Sequence, residues 1–202
     1  MSGLFSSLKR ELNVAGQTIS REVDKIVGPS SNVLENFKSG NVIQLVSRSS
    51  GKALQIVTAS TGQLVVDGCG PEGPGYPHAH WTVIQEGNNI VRLRNNNNFL
   101  AIMNGATQVI TLPPGAAPAG VETKFRLDHI QNFVVLEGFQ ERGRHVGVNK
   151  QGMLKSAVAT GREFDGQWGV RLIYSPYTQQ AGAVAYPQQP TTTTTVVVEQ
   201  KR

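Results

Sequence analysis

The sequence predicts an all-β domain built of three four-stranded units, preceded by an amphipathic helix and followed by a low-complexity tail. Three observations carry this. Asn41-Val-Ile-Gln-Leu-Val, Asn89-Ile-Val-Arg-Leu-Arg and Asn132-Phe-Val-Val-Leu-Glu align on one another. Each is closed roughly forty residues later by an aromatic in a strand-like run, Trp81-Thr-Val-Ile, Phe125-Arg-Leu-Asp and Trp168-Gly-Val-Arg-Leu-Ile. Apolar and polar residues alternate with period two, as in Val42, Gln44 and Val46 against Ile43 and Leu45.

Residues 1–28 come first. Leu4, Leu8, Leu12, Ala15, Ile19, Val23 and Ile26 recur at steps of three and four, which draws one apolar stripe along a helix. Lys9, Arg10, Gln17, Arg21, Asp24 and Lys25 fall opposite the stripe. Gly16 weakens the middle, and Pro29 after Gly28 ends the helix. Such a stripe packs on its own domain, pairs with a sister copy to form an oligomer, or lies on a membrane, where Leu4 and Phe5 at the tip followed by Lys9 and Arg10 would suit the surface. Residues 29–40 read as a linker.

The domain proper spans 41–174. Within each unit a second apolar run follows the first: Ala53-Leu-Gln-Ile-Val, Phe99-Leu-Ala-Ile-Met and His145-Val-Gly-Val. A turn then leads to a third: Gln63-Leu-Val-Val, Gln108-Val-Ile-Thr and Met153-Leu-Lys-Ser. Ser49-Ser-Gly-Lys and Lys150-Gln-Gly-Met supply turn residues between strands. A unit of about forty residues cannot bury a hydrophobic face alone, so three copies suggest closure around a pseudo-threefold axis. The pattern resembles the β-trefoil fold. Asn98-Phe-Leu-Ala-Ile, Glu122-Thr-Lys-Phe-Arg-Leu, Gly143-Arg-His-Val-Gly-Val-Asn-Lys-Gln-Gly-Met-Leu-Lys and Gly166-Gln-Trp resemble the layout of fibroblast growth factor-like trefoils, with fascin-like trefoils a second resemblance. These motifs record packing and turns, and trefoils serve as lectins, cytokines, actin binders and inhibitors, so the resemblance speaks to fold more than to function.

From residue 175 the chain turns to Gln, Pro and Thr with little charge, the composition of a disordered tail over 175–202. Tyr177 or Tyr186 could sit in a short recognition motif, and Thr191–Val198 could add to a sheet edge. Hydrophobic residues make up 39% of the chain, and none of its apolar runs approaches membrane-spanning length. The N-terminus lacks the basic-then-apolar order of a secretory signal, which leads to the expectation of a cytoplasmic protein, with non-classical export as the other route. Cys69 is the one cysteine, so an intrachain disulfide is ruled out. His78 and His80 share its Gly- and Pro-rich loop, but the spacing matches no zinc pattern and nothing fixes a nucleophile beside a base, so neither a metal nor a cofactor is expected.

The net charge of +5 is unevenly spread. The first unit sets Arg48 and Lys52 against Asp67, Glu72 and Glu86, whereas the second and third each carry a net +2, which predicts a basic face on those two. The growth-factor resemblance implies a heparin-type site at Asn149, Lys150, Lys155, Arg162 and Gln167, to which Arg142 and Arg144 add charge. Converging cations and an amide on a surface loop suit sulfate or phosphate groups. The sequence departs from that family in having fewer Lys and Arg, and in placing Trp168 where a basic residue is expected after Gly-Gln. A ricin-type sugar site lacks its Gln-any-Trp signature, so Trp81 and Trp168 read as core plugs. Specific nucleic-acid binding lacks stacking aromatics, and catalysis lacks a carboxylate pair, phosphate loop or nucleophile constellation.

The expectation is therefore a non-enzymatic binding module for an anionic ligand, either a sulfated glycan or an anionic membrane surface. The alternatives are a fascin-like scaffold with protein partners on its helix and tail, and a growth-factor-like receptor ligand.

Overall fold

Two side chains two residues apart on a strand point the same way, and this rule builds the core. In the computed structural model, which describes residues 32–113, 116 and 119–177, the strands are β1 Val42–Ser47, β2 Ala53–Thr58, β3 Leu64–Gly70, β4 Trp81–Gly87, β5 Ile90–Asn95, β6 Asn98–Met103, β7 Ala106–Thr111, β8 Phe125–Ile130, β9 Phe133–Gly138 and β10 Gln167–Tyr174. The expected helix over 1–28, with Leu4, Phe5, Leu8, Leu12, Ile19, Val23 and Ile26, lies outside the described residues, as does the tail beyond Tyr177. What the structure describes is an all-β, antiparallel protein.

Six of the strands close a ring. β1 pairs with β4, β4 with β5, β5 with β8, β8 with β9, β9 with β10, and β10 returns to β1. Each ring strand sends an i, i+2 pair inward: Ile43 and Leu45, Trp81 and Val83, Val91 and Leu93, Phe125 and Leu127, Val134 and Leu136, Trp168 and Val170. All twelve are buried in one continuous core. Burying such side chains stabilises by about 1.5–3 kcal/mol each, so the ring is where the fold is held.

The other strands form hairpins outside the ring. β2 and β3 hang from β1 through Val46 and Ala53, and β6 and β7 hang from β5 through Arg94 and Phe99. In the third unit the expected strands over His145–Val148 and Met153–Ser156 shrink to isolated bridges, Glu137 with His145 and Val148 with Leu154. Among the described residues ten strands therefore stand where three four-stranded units require twelve. Glycine is the physical reason. Gly143 and Gly152 take φ of +72° and +81°, and a Cβ on Gly147 would lie 2.4 Å from Thr160 Cγ2 and 2.5 Å from the Asp165 carbonyl oxygen. The segment keeps part of a hairpin ladder, with Asn149 N–H donating to Met153 O (2.9 Å), Lys155 N–H to Gly147 O (2.9 Å) and His145 N–H to Ala157 O (3.3 Å). Other groups bond away from it: Val148 N–H donates to Asp165 O (3.0 Å), Ala157 N–H to Gly105 O (3.0 Å), and Gly152 O accepts from Gly68 N–H (2.7 Å).

The packed body also begins earlier than residue 41. Val33–Phe37 forms a 3-10 turn capped by Asn32, whose side chain accepts from Leu34 N–H, and Val33 and Phe37 are buried in the core. At the other end Tyr177 Oη donates to Ser39 O (2.9 Å), so the described chain enters and leaves side by side.

Candidate functional site

Two turns flank the end of β3. In the β1–β2 turn, Ser47 Oγ accepts from the N–H groups of Ser49 and Ser50 (3.1 Å each), and Gly51 (φ +68°) completes the reversal before Lys52. In the third unit Asn149 Oδ1 accepts from Gln151 N–H (3.0 Å) and Met153 N–H (2.9 Å), an Asx-type turn that presents Lys150 at its tip. The end of β3 bridges the two. Ser50 Oγ donates to Gly68 O (3.1 Å), Gly68 N–H to Gly152 O (2.7 Å), and Cys69 Sγ to Gln151 O (3.3 Å).

Asp165 ties the same surface from below. Its Oδ1 accepts from Ser49 Oγ (2.7 Å) and its Oδ2 from Lys155 Nζ (2.7 Å). Burial works against ionisation of this carboxyl, but the Lys155 ammonium and the Ser49 hydroxyl outweigh it, with Lys150 adding to the effect, and hold its pKa below the ordinary value.

The predicted residues thus separate into two groups. Asn149 builds its own turn, Lys155 is paired with Asp165, and Arg162 is paired with Asp128. Gln167 is buried, accepting from Arg48 Nη1 (2.5 Å) and donating to Arg162 O (2.7 Å). Lys150 and Arg142 are exposed and Arg144 is half-buried, and among the described residues no carboxylate lies within ion-pair distance of any of them.

Charge pairing also redraws the expected basic face. In the second unit Arg92 and Lys124 both bind Glu86 (2.6 and 2.7 Å), and Arg126 binds Glu137 (3.4 Å). Hydrogen bonds from Lys124 first and Arg92 second lower the pKa of Glu86. Arg92 is buried, donating also to the carbonyls of Ala119 (2.5 Å) and Gly120 (2.7 Å) and to Thr123 Oγ1, which makes it a loop anchor rather than a ligand contact. The first unit, with its negative sum, contributes what sequence reasoning missed. Lys52 is exposed in the β1–β2 turn with no carboxylate in ion-pair range among the described residues, and Arg48 lies across the seam on Gln167. The signal available in sequence is that both Ser49-Ser-Gly-Lys and Asn149-Lys-Gln-Gly are Gly- and Lys-bearing turns, but only the fold brings both onto Gly68 at the end of β3.

The remaining candidates resolve simply. Trp81 and Trp168 are fully buried, in keeping with core plugs, and their indole N–H groups donate to Leu54 O and Val146 O (3.0 Å each). His80 Nε2 lies on Gly73 O (3.1 Å), and His78 meets Tyr76 edge to face. Among the described residues no three His, Cys, Asp or Glu side chains gather as metal ligands, and no helix is long and apolar enough to cross a membrane.

No protein-family model matches this chain, and a search of the curated proteins finds no match.

Proposed function

We propose that the chain is a β-trefoil acting as a non-enzymatic binding module for an anionic ligand, contacted across the seam by Lys52 and Lys150 with Lys155 behind them. Recurring contacts support the trefoil. The residue before each closing aromatic has its carbonyl taken by a neighbouring unit: Gln167 O by Arg48 N–H (2.9 Å), Lys124 O by Phe139 N–H (2.9 Å) and His80 O by Asn95 Nδ2 (2.9 Å). The two tryptophans bond carbonyls at matching places, Leu54 and Val146, while the third closer, Phe125, has no side-chain N–H to donate.

The observation that carries the function is the pair of turns bonded to the end of β3, each presenting an exposed lysine with no described carboxylate in ion-pair range. Lysines held on rigid turns keep their charge available, and an anion joining them loses little hydration at such an exposed site. The test is charge reversal. Lys52→Glu with Lys150→Glu in the full chain should weaken heparin binding at least about tenfold while leaving the unfolding temperature nearly unchanged, because surface substitutions of this kind stay within about 0.5 kcal/mol. Lys155 is the wrong residue for this test, since Lys155→Glu would set a second carboxylate against Asp165. Unchanged heparin affinity in the double variant would overturn the reading.

A scaffold role for protein partners draws on another surface. Leu172 (40% exposed), Tyr174 (45%) and Tyr177 (52%) line the outer end of β10 where the described chain leaves. Deleting residues 1–28 distinguishes the two, because polyanion affinity that survives while self-association is lost favours the scaffold.

A further inference from the structure

Phe164 is 51% exposed, yet its ring is held in place. The Arg48 guanidinium lies 4.0 Å from the centre of this ring and 4.4 Å from the centre of the buried Phe133 ring, so the cation is sandwiched between two aromatics. Arg48 is fixed in turn by Gln167 Oε1 (2.5 Å). Phe164 opens the 3-10 turn Phe164–Gly166, closed by Gly166 N–H donating to Glu163 O (2.9 Å). Scattered exposed apolar residues need no explanation, but this one is a preordered aromatic surface whose use would require little further ordering.

Its neighbours carry both kinds of polar group. Two residues before it Arg162 pairs with Asp128, and directly after it Asp165 holds Ser49 and Lys155. A carboxylate has about four lone-pair sites, so both aspartates can accept further hydrogen bonds while paired.

We infer that Phe164 is the stacking platform of a carbohydrate subsite, and that the anionic ligand is an acidic glycan rather than a bare polyphosphate. The inference rests on the anion-binding reading and names its ligand class. A pyranose ring has an apolar C–H face that lies flat on an aromatic, hydroxyls that donate to carboxylates, and in an acidic glycan a sulfate or carboxylate for the exposed Lys150. Polyphosphate offers the charge but neither the apolar face nor the hydroxyl donors.

The test titrates the full chain with a heparin-derived hexasaccharide and, separately, with a polyphosphate of matched charge, using wild type, Phe164→Ala, Phe164→Leu and Phe164→Trp. Leucine keeps apolar volume over Arg48 without a flat ring, which guards against a folding defect in the alanine variant. Both should lose about tenfold in hexasaccharide affinity, the effect of one aromatic contact, with polyphosphate affinity unchanged and Phe164→Trp near wild type. Equal losses for both ligands, or no loss for the hexasaccharide, would overturn the platform. Wild type that binds polyphosphate but not the hexasaccharide overturns the platform and leaves the anion reading standing, whereas wild type that binds neither overturns both.

Discussion

Trp81 and Trp168 do two things at once: each fills the core and each satisfies a buried carbonyl through its indole N–H. Replacing either with Phe preserves most of the apolar burial but leaves Leu54 O or Val146 O without that donor, a loss of about 1–3 kcal/mol. Thermal unfolding of Trp81→Phe and Trp168→Phe should show midpoints several degrees below wild type, about 2–8 °C for a domain of this size; an unchanged midpoint would mean that the bond adds nothing. Asp165 makes a pH-dependent contribution. Its folded pKa is lowered, so it stabilises the fold above its unfolded value of about 4, and that stability is lost as pH falls through the folded value. Asp165→Asn should therefore be less stable than wild type at pH 7, with the gap narrowing at pH 3, and urea unfolding at the two pH values checks it; a constant gap would contradict the pairing with Lys155. The inward aromatics are legible from their repeat, but these pairings are not. Ser49 and Asp165 stand 116 residues apart, and Arg162 and Asp128 stand 34 apart, distances at which local pattern is silent.

The third unit's irregular hairpin positions the candidate site, and its glycines make it irregular. A Cβ on Gly152 would lie 2.5 Å from both Cys69 Sγ and Gly68 O, in a backbone conformation with φ +81°. Gly152→Ala should therefore cost about 1–3 kcal/mol and push the Lys150 turn off β3. Denaturant unfolding and heparin titration should both respond, and Gly62→Ala is the control. Gly62 has the same φ of +81° but nothing within 4 Å of an added Cβ, so it should lose stability through backbone strain and keep binding. Equal binding in the two variants would show that turn position does not matter. Sequence periodicity reads eight strands of the first two units well, because each is bounded by turn residues and alternates over several positions. It reads the stretch around Gly147 as two regular strands, where the structure keeps hairpin bonds between 145–149 and 153–157 but turns Val148 N–H to Asp165 O and Ala157 N–H to Gly105 O, so only isolated bridges remain. It underreads Val33–Phe37, too short for a period to show, yet buried through Val33 and Phe37.

Across the whole molecule, closure of the ring decides where charge collects. The net charges of the three units point to a basic face on the second and third, yet Glu86 takes both Arg92 and Lys124 and Glu137 takes Arg126, while the end of β3 touches both the Lys52 turn of the first unit and the Lys150 turn of the third. A sum over sequence cannot see this, since it neither pairs charges nor folds the two ends together. Binding through lysines at such an exposed seam should weaken steeply between low and physiological salt, as screening shortens the reach of charge to about 8 Å; heparin affinity that does not change with salt would contradict it. The most direct test of the central claim is a hydrogen-exchange footprint of the full chain with and without a heparin-derived hexasaccharide. Protection confined to the β1–β2 turn at 48–52 and the third-unit segment at 149–167 is the result this account predicts. Protection at the outer end of β10 and residues 1–28, with both turns unchanged, would contradict it.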